Sequence, residues 1–157
     1  MSSDHAQLIH KFYEAFANKD AETMASCYRD DAKFSDPVFT NLDGAGARNM
    51  WRMLVERGKD LVVTHSDVVA SERIVTAHWE AKYTFSATGR FVHNKIDARF
   101  EIEDGLIKVH RDTFDMWAWT RMALGPMGVL LGWSPIVQNK VRGQAMKGLA
   151  AFTKKRG

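Results

Sequence analysis

The stretch that decides the fold is Val75-Thr76-Ala77-His78-Trp79-Glu80-Ala81-Lys82-Tyr83-Thr84-Phe85, where apolar and polar residues alternate. Successive side chains of a strand point to opposite faces. This period of two therefore predicts a long half-buried strand, with Val75, Ala77, Trp79, Ala81, Tyr83 and Phe85 on its dry side. Thr88-Gly89 supplies a turn, and Ile96, Ala98, Phe100 and Ile102 alternate with Lys95, Asp97, Arg99, Glu101 and Glu103 on the return. Asp104-Gly105 is a hairpin dipeptide. A last strand runs through Ile107, Val109, His110, Asp112 and Phe114 toward Trp117 and Trp119.

Upstream the period lengthens. Leu8, Ile9, Phe12, Tyr13 and Phe16 recur at helical spacing, which predicts a helix over 4–18. Asp20 caps a short second helix through Met24, Cys27 and Tyr28, closed by Asp30 and Asp31 before Phe34. Asp36 precedes Pro37, which pushes its backbone toward extended conformations and sets its side chain on a turn or strand end. Gly44 and Gly46 then lead into a third helix over 48–56, with Met50, Trp51, Leu54 and Val55 as its apolar stripe. Three helices followed by an antiparallel meander give an α+β fold, with the helices on one face of the sheet.

Downstream, Gly125-Pro126 breaks the chain, 127–131 reads as a short helix, and Ser134-Pro135 starts a final helix to about residue 153. Val137, Val141, Ala145, Leu149 and Phe152 form its stripe. The tail differs from the body in charge. Residues 116–157 hold seven Lys and Arg and no Asp or Glu, whereas 1–115 hold 15 basic against 19 acidic residues.

At 157 residues, 45% of them hydrophobic, the chain suits one domain with a proper core. No apolar run approaches the roughly 20 residues of a spanning helix, and the first ten residues do not read as a secretory signal. A cytoplasmic location is the expectation. Cys27 is the sole cysteine and reads as a buried structural thiol.

The order of elements, with Phe34-Ser35-Asp36-Pro37-Val38 after helix two and Asp104-Gly105 through Asp115 near the end, resembles the nuclear transport factor 2-like superfamily. Its members include ketosteroid isomerases, limonene epoxide hydrolases and the SnoaL-like polyketide cyclases. The resemblance implies a cone-shaped curved antiparallel sheet with three N-terminal helices. It places a domain at 1–119 and a basic helical extension at 120–157.

It also nominates a site. Asp36 matches the isomerase general base, but the tyrosine that polarises the carbonyl in that family falls at Phe12. Tyr13 is turned about 100° away on an ideal helix. The second isomerase acid falls at Asp97, which the alternation puts on the wet face. His110-Arg111-Asp112-Thr113-Phe114-Asp115 resembles the end of the epoxide hydrolases, with Asp112 at a catalytic aspartate. The paired arginine and aspartate of that family fall at Trp79 and Ala81, which disfavours epoxide hydrolysis. The cyclases use an aspartate at the place of Asp112 near a histidine, and His110 lies on the same face of one strand.

The expected site is therefore Asp36, His110 and Asp112 as acid/base groups, with Phe34, Trp51, Trp79 and Asn94 lining a hydrophobic pocket. The implied activity is of isomerase or cyclase type on a hydrophobic small molecule with an enolisable carbonyl, with Asp36 or Asp112 as base. The alternative is a non-catalytic binding or interaction module of the same fold. The six histidines show no metal-ligand spacing and Gly44 and Gly46 no dinucleotide loop, so no metal and no cofactor are expected. A homodimer follows by family analogy. Nucleic acid is not an expected partner, because the basic residues lack interleaved aromatics. For the tail, packing of its stripe against the sheet or pocket mouth is preferred. The sharper alternative is weak membrane-surface contact by the C-terminal helix, motivated by Trp133, Phe152 and the acid-free basic face.

Overall fold

The structure, a computed structural model, describes residues 2–156. Its elements run α1 (Ser2–Ala17), α2 (Ala21–Ser26), β1 (Tyr28–Ser35), β2 (Leu42–Asp43), α3 (Gly44–Arg57), β3 (Val62–Ala70), β4 (Ile74–Phe85), β5 (Arg90–Glu103), β6 (Leu106–Thr113), α4 (Met116–Leu124), α5 (Pro126–Leu131) and α6 (Pro135–Arg156). The fold is α+β, with a curved six-stranded sheet that does not close into a barrel, in the order β2-β1-β6-β5-β4-β3.

The alternation sorts the sheet's faces as expected. Val75, Ala77, Trp79, Ala81, Ile96, Ala98, Phe100 and Ile102 are all buried. Their wet-side neighbours, among them Thr76, Lys82, Lys95, Asp97 and Arg99, are exposed. Asp104 and Gly105 both take positive φ, 54° and 74°, as a tight hairpin turn between β5 and β6 requires.

Three local readings are corrected. The second helix ends at Ser26, and Tyr28, Asp30 and Asp31 belong to β1. Arg48 fixes this early exit: its guanidinium donates to Ala25 O at 3.1 Å, to Tyr28 O at 2.7 Å and to Asp30 Oδ1 at 2.9 Å. β1 then pairs parallel with β6, so the sheet is mixed where a wholly antiparallel one was expected. The last strand stops at Thr113. Asp115 accepts from Ala118 N–H at 3.1 Å and caps α4, so Trp117 and Trp119 lie on a helix.

The alternation of β6 also breaks. Ile107 is buried, yet so are His110 and Asp112, of opposite parity. The β5–β6 register shifts between Glu101 and Ile102, and this irregularity turns His110 and Asp112 to the inner side.

The final helix docks through its stripe, though mainly on α3 where the sheet or pocket mouth was expected: Leu149 is buried, and Ala145, Met146 and Phe152 pack on the main core. It meets α3, and Arg142 Nε donates to Pro37 O at 2.7 Å. Cys27 is buried, and burial pushes its thiol pKa up. Among the described residues no helix is long and apolar enough to cross a membrane.

Candidate functional site

β1 lies beside β6 in the sheet and α3 packs against β1, and there three elements join in one hydrogen-bonded chain. Trp51 Nε1 donates to the Tyr28 hydroxyl at 2.8 Å, Tyr28 meets His110 Nδ1 at 2.7 Å, and His110 Nε2 meets Asp112 Oδ1 at 2.8 Å. The Tyr28 hydroxyl accepts from the indole and keeps one hydrogen and one lone pair for His110 Nδ1, while the second ring nitrogen of His110 lies against the Asp112 carboxyl. His110 is 1% exposed and Asp112 2%.

Aromatic rings exclude water from this chain. The His110 ring has Phe100 at 4.1 Å, Phe34 at 4.9 Å, Phe12 at 5.7 Å, Tyr28 at 6.0 Å and Trp51 at 6.1 Å between centroids. Burial holds the Tyr28 hydroxyl pKa well above 10, so the phenol keeps its proton.

Three buried polar atoms have no hydrogen-bond partner among the described side chains around this core: Asp112 Oδ2, Tyr13 OH and Trp79 Nε1. Tyr13 and Trp79 are neighbours, with ring centroids 6.1 Å apart. Burial first, and then the nearby charge of Asp112, pushes the Tyr13 pKa well above 10, so it too is a donor. Two free donors and one free acceptor in a dry interior are costly to leave unmatched and suited to a polar group of a ligand.

Asp36 sits in the turn after β1. Its Oδ1 accepts from Val38 N–H at 2.7 Å and Phe39 N–H at 2.6 Å. Its pKa is raised to about 7, by burial first and with a smaller push from the charge of Asp112, against the lowering effect of the two backbone bonds.

Of the expected residues, the structure brings His110, Asp112, Phe34 and Trp51 into contact and sets Asp36 within electrostatic reach. Trp79 joins through Tyr13, Phe16 and Trp51. Asn94 is 8% exposed on the same face of β5. It stands four residues, about 13 Å at strand spacing, from Ala98, the β5 partner of Asp112. Phe12 lies at the centre of the aromatic cluster. Tyr13 is not turned away as expected, because α1 is buried over a wide arc that includes both residues.

Two participants, Tyr28 and Tyr13, went unnominated. Tyr28 had a signal: it shares parity with Ala32 and Phe34, the buried positions of β1, and only exposed Asp30 interrupts the alternation. Asp97 faces outward, 3.0 Å from His78 Nδ1. No group of three or more His, Cys, Asp or Glu among the described residues is arranged to hold a metal ion.

The family model of the SnoaL-like domain matches residues 9–110. No curated protein matches in sequence. Among solved structures, an epoxide hydrolase of the limonene epoxide hydrolase-like type from M. tuberculosis is 20% identical, with TM-score 0.65, over 87% of this chain and 96% of that one. IdmH of Streptomyces antibioticus, a proposed polyketide cyclase, is 23% identical, with TM-score 0.63, over 74% and 95%. AclR of Streptomyces galilaeus, a proposed hydroxylase, is 15% identical, with TM-score 0.68, over 89% and 99%. At these identities the likeness is one of fold.

Proposed function

The chain belongs to the SnoaL-like domain family, and on that premise we propose that its core performs acid/base chemistry on a hydrophobic small molecule with an enolisable carbonyl. The observation that carries the reading is Asp112 Oδ2, buried and unpartnered at the end of the Trp51–Tyr28–His110 relay. In this proposal Oδ2 takes a proton from the carbon beside the carbonyl. The C–H electron pair becomes a C=C bond, the carbonyl π pair moves onto oxygen, and Tyr13 OH and Trp79 N–H hold the resulting enolate oxygen. Asp36, with a pKa of about 7, is matched to returning a proton near neutrality. Reprotonation at another carbon completes an isomerisation, and attack of the enolate carbon on a second carbonyl closes a ring.

Epoxide hydrolysis fits less well. Buried Trp79 occupies the arginine position, and His78 and Glu80 bond to each other on the outer face. A second reading, a non-catalytic binding module, is favoured by one feature: the surface depressions at α4–α5 and on the outer sheet face are not lined by Asp36, His110 or Asp112.

Asp112→Asn separates the two readings. With a panel of enolisable ketones and polyketide-like esters, catalysis predicts a turnover loss of about 10²–10⁴-fold with ligand affinity retained. Unchanged turnover would retire Asp112 as the base. Assembly as a homodimer belongs to the same proposal, and a sedimentation-equilibrium mass of one chain would count against it.

A further inference from the structure

The short helix α5 is built inside out. Its docked face is glycine: a Cβ on Gly128 would collide with the Thr120 backbone carbonyl, and one on Gly132 with the Thr120 hydroxyl. Glycines four apart let two helix backbones approach closely. The consequence is that the large apolar residues of α5 point outward. Met127 is 59% exposed, Val129 51%, Leu130 70% and Leu131 48%, and the chain continues through Trp133 at 63% and Ile136 at 81%. Six large apolar side chains thus stand exposed within ten residues of sequence, a concentration of the kind that marks an interaction site.

The rim of this patch is positive. Arg90 and Arg121 line one depression with Val129 and Leu130, exposed Lys140 follows Ile136 by about one turn of α6, and no Asp or Glu occurs anywhere in 116–157. Arg121 also stacks its guanidinium over the ring of Trp117, 4.4 Å from the centroid. A second copy of this chain seated symmetrically on the patch would bring like charges together. An anionic partner with an apolar interior meets both features at once. The later turns of the final helix are excluded as the contact, because Phe152 packs on the core and Leu149 is buried.

We propose that the α5 patch is a docking surface for an anionic phospholipid bilayer, with Leu130, Trp133 and Ile136 entering the acyl boundary while Arg90, Arg121 and Lys140 meet headgroup phosphates. The depth is interfacial, since α5 is one short helix.

Co-sedimentation with phosphatidylcholine vesicles, with and without phosphatidylserine, tests it on the full chain. The protein pellets with the anionic vesicles at low salt, weakens by about fivefold for each rim cation removed, and its tryptophan emission shifts to the blue unless Trp133 is replaced by Phe. The double variant Leu130→Ser, Trp133→Ser lowers partitioning by at least about tenfold, with circular dichroism and melting unchanged because both side chains are exposed. Protein that stays in the supernatant with anionic vesicles at low salt overturns the proposal. So does pelleting that the double variant leaves intact. A dimer mass in solution that the double variant reduces to one chain assigns the patch to a second copy and overturns it equally.

Discussion

One sheet carries two histidine–carboxylate networks of similar geometry on opposite faces. Inside, His110 meets Asp112 at 2.8 Å with side chains 0% and 1% exposed. Outside, His78 bridges Glu80 at 2.9 Å and Asp97 at 3.0 Å, and His93 meets Glu80 at 2.6 Å, with exposures between 26% and 80%. Distance does not distinguish them, but solvent does. The outer bonds hold the Glu80 carboxyl down to about 2 and raise the His78 pKa. Those groups could each be rehydrated at small cost if a partner left. The inner pair has no such recourse, because both side chains are buried and five aromatic rings pack around His110.

Matched deletions on the two faces should differ, most of all at His110. His110→Ala strips Asp112 of its one partner and opens a cavity, so urea denaturation should show a loss of about 3–5 kcal/mol. Tyr28→Phe comes next. It leaves Trp51 N–H and His110 Nδ1 without partners while keeping the ring, for about 2–3 kcal/mol by the same assay.

Asp36→Asn sharpens the picture in the opposite direction. The amide oxygen can still accept from Val38 and Phe39, but the group no longer ionises. The folded pKa of about 7 lies above the ordinary 3.8. Stability linked to Asp36 is therefore full below about pH 4 and is lost as pH rises through 7, by at most about 4 kcal/mol. Melting curves from pH 4 to 8 should flatten in the variant, which ends up the more stable protein at pH 8.

His78→Ala should be the smallest effect, under about 1 kcal/mol and reduced by salt. Since the His78 pKa is raised above 6.5, its contribution is present below that value and fades as pH rises through the folded one. A variant indistinguishable from the parent at pH 9 but slightly weaker at pH 5.5 is the expected result. An inner-face deletion that costs no more than this one would remove the distinction between the two networks.

Sequence pattern revealed the faces of β4 and β5 because one side of each is dry along most of its length, and such a strand must alternate. It revealed α6 for the same reason at helical spacing. It misjudged Tyr28 because α2 is short and its end is set from a distance, by Arg48 on α3 gripping the carbonyls of Ala25 and Tyr28. It misjudged Tyr13 because a helix buried over a wide arc does not obey a single stripe.

The amino-acid order by itself determined the α+β class, the inward and outward residues of the central hairpin, and the separation of an acidic body from a basic tail. These are local properties of period and charge. Only the tertiary structure decided that β1 runs parallel to β6, that a register shift swings His110 and Asp112 inward against the parity of Ile107, and that Tyr28 reaches His110 across 82 positions of chain. It likewise decided that α5 hides its glycines and shows its leucines. Each depends on which surface a neighbouring element presents, and packing over long sequence distances leaves no periodic mark in the strand or helix that receives it.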